Sequence, residues 1–543
     1  MGAPDLIPSP SHSPLACRPY GVGHDGEGIC LMVKMGPYRI LLDCGLRDPA
    51  PLLTADAPPA DLVFCSHAHR DHTRSLLPLA QQFPQLPIYT SEVTAQLLPF
   101  NWDITTTIPE LACRPLPWRS PVHFFPDLTA QLFPAGHLPG AAVILLTYTT
   151  PERSYTVLYT GDFFLSNSRL AEGLSLETMR GSSPDVLIIE GSAGTARYPR
   201  RRQLEKQFLT QIEQALGAQK SVAIFAPPLG LAQEILMLLR SHHQFTGREL
   251  GIWVGPDIAQ GCDAYLEILP HLPAAVQNFS RHQPLFWDDQ ILPTVSRFTD
   301  ASTPAAPCVL LTNRMEDWQQ LEARSPQAWT VLIPEHHHDV QVNIETFHYH
   351  EAVSIDSYTL TDHSDGRNTT QLIHNIRPQH ILFVHGSPAA IAELTSLEEL
   401  QSRYKLHAPR NAMTLELPVG DRFIQPAAPI LTTYEGEISE LDAMVNIALP
   451  SALSHNPIWS TFADTGLVEA RWQGNELILR GLSQRELLRQ SNANRIQAGQ
   501  ECCRNCQYLQ GKTCQNPQSP LYGFTVTLDG YCPAFEAEPD RET

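Results

Sequence analysis

The chain has 543 residues, is 43% hydrophobic and carries a formal net charge of −20. That length allows more than one domain around a large core, and no apolar run is long enough for a transmembrane helix. The acidity argues against a general nucleic-acid-binding surface, because affinity for phosphate backbones comes from Lys and Arg.

Residues 1–16, rich in Pro and Ser, lack both a basic start and an apolar core, so they read as a disordered tail rather than a signal peptide. With no secretory leader, the 12 cysteines favour reduced thiols or metal ligands over disulfides, and a cytoplasmic location. Residues 17–194 read as strands alternating with helices. The apolar run Tyr38-Arg39-Ile40-Leu41-Leu42 ends in Asp43-Cys44-Gly45, and Leu62-Val63-Phe64-Cys65 leads into His67-Ala68-His69-Arg70-Asp71-His72. Three further runs end at His137, at Asp162 and at Glu190-Gly191. Residues 195–345 read as an inserted α/β segment, with a helix from Leu204 to Leu216, a short strand from Val222 to Phe225 and a helix from Gly230 to Arg240. Residues 346–426 return to the first domain, where Ile381-Leu382-Phe383-Val384 ends in His385-Gly386. Pro426-Ala427-Ala428-Pro429 marks a boundary. The extension over 430–495 holds a hairpin between Gly466 and Leu482 that turns at Gln473-Gly474-Asn475. Residues 496–543 form a cysteine-rich module. No internal repeat is evident.

The H-x-H-x-D-H run packs three imidazoles and a carboxylate into six residues on a loop that ends a strand. Neutral imidazole and carboxylate are the nitrogen and oxygen ligands that Zn²⁺ prefers. A solvated His-rich loop is the plain alternative. It explains less once six apolar runs end in ligand-type residues, because strands supply rigidity and their ends supply access.

In these motifs and their order the chain resembles the metallo-β-lactamase superfamily, and within it the β-CASP nucleases, the group of ribonuclease J and the mRNA 3′-end cleavage endonuclease. The resemblance runs from about Gly21 to about Ile424. It implies a metallo-β-lactamase αββα sandwich with an inserted α/β β-CASP domain, here followed by the small Cys-rich module. It also implies that His67, His69 and His137 hold one zinc ion, that Asp71, His72 and His385 hold a second, and that Asp162 bridges the two. Asp43 would orient ligands from behind. Glu190, His363 (in Thr361-Asp362-His363-Ser364-Asp365) and His385 match the three β-CASP motifs. A histidine at the His385 position accompanies RNA-directed members of the group. A metal pair about 3.5–4 Å apart lowers the pKa of bound water and offsets phosphate charge. Asp71, Asp43, Glu190 and His363 are the candidate catalytic side chains, with His363 as general acid to the leaving oxygen and Glu190 orienting it. For His363 the plain alternative is a buried histidine in a hydrogen-bonded loop.

The insert departs from the pattern twice. Leu231 stands where relatives carry Arg, and Leu311-Thr312-Asn313-Arg314-Met315 lacks the small residues of a phosphate-gripping turn. Arg197, Arg200, Arg201 and Arg202 could contact RNA or simply start a solvated helix. Near the end, Cys503-x2-Cys506-x7-Cys514-x17-Cys532 has the spacing of a tetrahedral sulfur site, for one further Zn²⁺ or a [4Fe–4S] cluster. The leading expectation is a two-zinc ribonuclease of RNA processing or degradation that binds RNA and no membrane, as a homodimer or with processing-complex partners. The competing expectations are a binuclear hydrolase of another phosphodiester and a non-catalytic scaffold in an RNA-processing complex.

Overall fold

The computed structural model describes residues 13–54, 56–102, 113–324, 328–335, 342, 347 and 352–420. Beyond these it describes strands within 437–481 and residues 503, 506–519, 521–523, 526 and 534–536. The chain divides into two units, 1–420 and 421–543.

Two seven-stranded sheets form the centre of the first unit. One runs, in spatial order, Leu415–Glu416, Leu15–Val22, Ile29–Met35, Tyr38–Leu42, Leu62–Phe64, Ile88–Ser91 and Cys113–Leu116. The other runs Lys405–His407, His380–Val384, Val186–Glu190, Ser154–Tyr159, Ala142–Thr149, Leu128–Pro134 and Val122–Phe125. Leu31, Ile40, Leu42 and Phe64 of the first sheet share one buried cluster with Ile144, Val157, Ile188 and Leu382 of the second, so the sheets face each other. Each such side chain removed from water contributes about 1.5–3 kcal/mol. On the first sheet's outer face Leu41, Val63 and Ile88 pack under Leu76 and Leu79 of helix Leu76–Gln82. The second sheet's outer face, Leu187, Ile189 and Ile381, packs under Leu372 and Ile376 of helix Gly366–Ile376. Mixed α/β layers of this kind suit strands that are apolar on both faces.

The third sheet has six strands, all parallel, in the order Thr294–Arg297, Gly251–Val254, Val309–Thr312, Ser221–Phe225, Trp329–Pro334 and Val353–Tyr358. Helices Arg201–Gly217, Leu231–Ser241 and Pro256–Glu267 lie around it. The sequence places helices from Leu204 and from Gly230 and a strand from Val222; each forms within three residues of those starts. Val353–Tyr358 extends this sheet past position 345, where the sequence expects the return to the first domain. Its alternation is weak, with Asp356 and Ser357 exposed, which hides it as a strand. Strand pairing starts before residue 17: Leu15 and Ala16 pair with Met35 and Lys34, and Leu15 is fully buried.

In the second unit, Val468–Gln473 pairs antiparallel with Glu476–Gly481, the hairpin expected around Gly474. The Pro426–Pro429 boundary lies outside the described residues. Among the described residues no helix is long and apolar enough to cross a membrane.

Candidate metal centre

All the ligand-type residues of the apolar runs sit at or just past strand ends in the first unit, on one edge of the paired sheets. Asp43 follows Tyr38–Leu42, the His67–His72 segment follows Leu62–Phe64, and Asp162 follows Ser154–Tyr159. Glu190 closes Val186–Glu190, and His385 follows the adjacent parallel strand His380–Val384. The loops pass so closely that Gly45 admits no side chain: a Cβ there would lie 1.5 Å from the Asp71 carbonyl oxygen. Motif residues 361–365 are fixed by Asp365. Its Oδ1 caps helix Gly366–Ile376 by accepting from Asn368 N at 2.8 Å, and its Oδ2 accepts from Tyr198 N at 3.0 Å. A cap of this type is worth about 1 kcal/mol.

The hydrogen bonds fix the imidazole tautomers, and with them the direction of the free lone pairs. His72 Nδ1 donates to Asp43 Oδ2 at 2.7 Å, which turns its Nε2 inward, 3.3 Å from Asp162 Oδ2. Ser66 Oγ donates to the same carboxylate at 2.7 Å and so accepts from His67 Nδ1 at 3.0 Å, again leaving Nε2 inward. His137 Nδ1 donates to the Asp362 carbonyl at 3.0 Å, and His69 Nε2 to the Leu229 carbonyl at 3.2 Å. The two remaining nitrogens, His137 Nε2 and His69 Nδ1, then face each other at 2.9 Å as two lone pairs. That contact is repulsive unless a cation lies beside it. His67 Nε2, His72 Nε2, Asp162 Oδ1 and His385 Nδ1 are buried without a hydrogen-bond partner. Buried polar atoms are seldom left so.

The described residues include two separate groups in which every ligand atom lies within 4.8 Å of the others, His67, His69, His137 and Asp162, and Asp71, His72 and His385, and a third, Asp162, Glu190, His363 and His385, shares a residue with each. The His/Asp cluster fits a metal site, and the donor set is the nitrogen and oxygen set of divalent cations such as zinc. Burial pushes His67 down, helped by the neighbouring imidazoles, and pushes His137 down to about 3, so both are held in the neutral form that ligates. Burial also opposes charge on His72, but Asp162, Asp71 and Asp43 outweigh it and pull His72 up.

Beside this cluster stands a second pair. His363 Nδ1 donates to Glu190 Oε2 at 2.8 Å, and Ser192 Oγ donates to the same oxygen. Glu190 Oε1 accepts from Phe163 N at 2.7 Å. Burial disfavours charge on His363, yet Glu190, with Asp162 and Asp362 beyond it, holds the imidazole well above its ordinary value. His363 Nε2 lies 3.8 Å from Asp362 Oδ1.

The arginines behind Glu190 separate into two kinds. Arg197 and Arg202 are exposed. Arg201 is turned inward: it donates to the Thr361 carbonyl at 2.6 Å and pairs with Glu205 and Glu234. Leu231 is fully buried. In the turn after Val309–Thr312, Thr312 Oγ1 donates to Asp317 Oδ2 at 2.6 Å and Asn313 Nδ2 to Asp257 Oδ2 at 3.0 Å. Carboxylates therefore occupy the donors of that turn.

Two side chains escaped the sequence reading. Tyr159 O–H donates to Asp43 Oδ2 at 2.6 Å, and Ser66 N and Oγ both donate to Asp43. Ser66 borders the His-rich run, which was a signal. A tyrosine ending an apolar strand carries none.

Residues 38–224 match a family model described as a beta-lactamase superfamily domain. The chain is 51% identical over 537 residues to an uncharacterised protein of Synechocystis sp., covering 96% of each. It is 31% identical over 236 residues to a Methanocaldococcus jannaschii protein named Probable RNase MJ4, covering 39% of this chain and 54% of that one. It is 22% identical over 473 residues to cleavage and polyadenylation specificity factor 73 of Drosophila melanogaster, covering 76% and 66%. The chain thus spans about half to two thirds of the length of these last two relatives.

Proposed function

The chain belongs to the β-CASP group of the metallo-β-lactamase superfamily, and from that membership we propose that it hydrolyses phosphodiester bonds of RNA at the site centred on Asp162. The observation that carries this reading is the convergence of buried, unpartnered His and Asp atoms beside the Glu190–His363 pair. His67, His69 and His137 would hold one zinc ion, Asp71, His72 and His385 a second, and Asp162 both. Bound zinc would lower the pKa of water and neutralise phosphate charge. The remaining work belongs to the chain. Asp43, braced by Ser66 and Tyr159, keeps His72 in the ligating tautomer. Glu190 holds His363 protonated and aims its Nε2 outward, where it delivers a proton to the leaving oxygen. Low exposure of the whole cluster keeps bulk water away.

RNA is the substrate class that the relatives' names and His385 favour, and partners in an RNA-processing assembly fit the same relationship. Cys503, Cys506 and Cys514, all buried, would hold a further Zn²⁺ or a [4Fe–4S] cluster together with Cys532, which lies outside the described residues. A second reading, a hydrolase of another phosphodiester, draws on the turn whose donors are taken by Asp257 and Asp317.

End-labelled RNA, DNA and small phosphodiesters incubated with purified protein separate the two. RNA is expected to be cut, and His69→Ala is expected to abolish cutting while the fold persists. Cleavage of small diesters with RNA intact would move the reading to the second alternative. Normal turnover by His69→Ala would remove the metal from it.

A further inference from the structure

The inserted segment touches the His/Asp cluster through its backbone. Strand Ser221–Phe225 of the third sheet runs into Ala226-Pro227-Pro228-Leu229-Gly230 and then helix Leu231–Ser241. At the tip of that turn the Leu229 carbonyl accepts from His69 Nε2 at 3.2 Å. A carbonyl can only accept, so it selects the His69 tautomer whose Nδ1 faces His137 and the cluster.

The turn is held in place from both sides of Leu229 by one buried side chain. Gln233 Oε1 accepts from Gly230 N at 2.8 Å, and its Nε2 donates to the Pro228 carbonyl at 3.0 Å; Gln233 is fully buried. Gly230 has φ 94° and ψ −91°, a backbone conformation L-residues rarely adopt. A Cβ there would lie 3.6 Å from His69 Nε2, which is ordinary contact, so the glycine answers to backbone shape rather than to space.

Resting on the reading of His69 as a metal ligand, we propose that the Leu229–Gly230 turn, clamped by Gln233, is a positioning element of the metal centre, so that docking of the inserted domain and retention of metal are coupled. A hydrogen-bond partner behind a ligating histidine typically changes metal affinity about 10–100-fold. Coupling is reciprocal: the docked turn tightens metal binding, and bound metal in turn holds the turn in place. The insert therefore contributes to the centre without contributing a ligand.

Two measurements on the full chain test this. In the first, hydrogen exchange is compared between protein as purified with metal and the same protein after chelation. Exchange in helix Leu231–Ser241 is expected to rise on metal removal, while helix Met315–Arg324, on another part of the insert, stays unchanged. Equal exchange of Leu231–Ser241 in the two states overturns the coupling. In the second, metal retention is titrated against a graded chelator for wild type, Gln233→Met and Gly247→Ala. Gly247 also has positive φ (79°) and lies on the insert, but a Cβ there meets nothing within 4 Å, so it controls for general weakening of that domain. Gln233→Met is expected to lose at least about tenfold in metal affinity while Gly247→Ala keeps it. Wild-type affinity in Gln233→Met, or an equal loss in Gly247→Ala, overturns the proposal. If Gln233→Met does not fold, the exchange comparison decides alone. Wild-type protein that carries no metal overturns the ligand reading itself, a different failure from metal-bearing protein whose insert ignores it.

Discussion

Asp43 accepts four hydrogen bonds, from Ser66 N, Ser66 Oγ, His72 Nδ1 and Tyr159 O–H, and does so from a backbone φ of 57°. A non-glycine residue in that region stores strain that its surroundings must hold, and here four donors do. His363 differs: the Glu190 carboxylate orients it through Nδ1, beside the cluster. His363→Ala is therefore expected to slow single-turnover cleavage by about 10²–10⁴-fold with little change in RNA affinity measured by filter binding. An unchanged rate would take His363 out of the mechanism. At this scale the sequence was readable wherever a residue type is rare and crowded, as in His67–His72. It was silent on Tyr159, which looks like any core aromatic, and on the Leu229 carbonyl, because a backbone group has no residue identity to read.

Strands carried most of what could be foreseen about elements. Runs such as Val186–Ile189 and Ile381–Val384 are apolar at every position because both faces of their strands are covered, and that signature survives without any alignment. Val353–Tyr358 lacks it and was missed. The outer strands of the second sheet add a pH dependence. His380 Nε2 donates to the Pro418 carbonyl at 2.9 Å, so its Nδ1 accepts from His407 Nε2, also at 2.9 Å. Both rings are neutral in this arrangement. Burial, with His380 and Lys405 beside it, pushes His407 down to about 4 from an ordinary 6.5. A folded-state pKa below the unfolded one means that the unfolded chain takes up more protons between those values. Stability from this pair is thus present above about pH 6.5 and lost as pH falls toward 4. His407→Gln keeps a donor for His380 and cannot titrate. On chelator-treated protein its melting temperature should fall less than the wild type's between those pH values. Parallel curves would show that the pair contributes nothing.

Over the whole molecule, the chain divides at Gly420 into a unit that carries every ligand-type residue of the cluster and a second that carries the clustered cysteines. If both proposed centres bind metal, truncation near Arg495 should therefore leave the metal of the His/Asp cluster in place and remove one further metal. Elemental analysis for zinc and iron of the full chain and the truncated one checks this, and identical metal content in the two would leave those thiols without a metal. The parallel pairing of Val186–Glu190 with His380–Val384 also has a consequence in time. His385 meets Asp71 across 314 residues of chain. At a synthesis rate of about 5–20 residues per second, Asp71 leaves the ribosome roughly 16–60 s before its partner exists. Once it has emerged, the strand Val186–Glu190 has an open edge until His380–Val384 follows, and through the whole interval the centre lacks one of its sides. A growing chain is therefore expected to lack a complete cluster until His385 has emerged, well past the midpoint of its 543 residues.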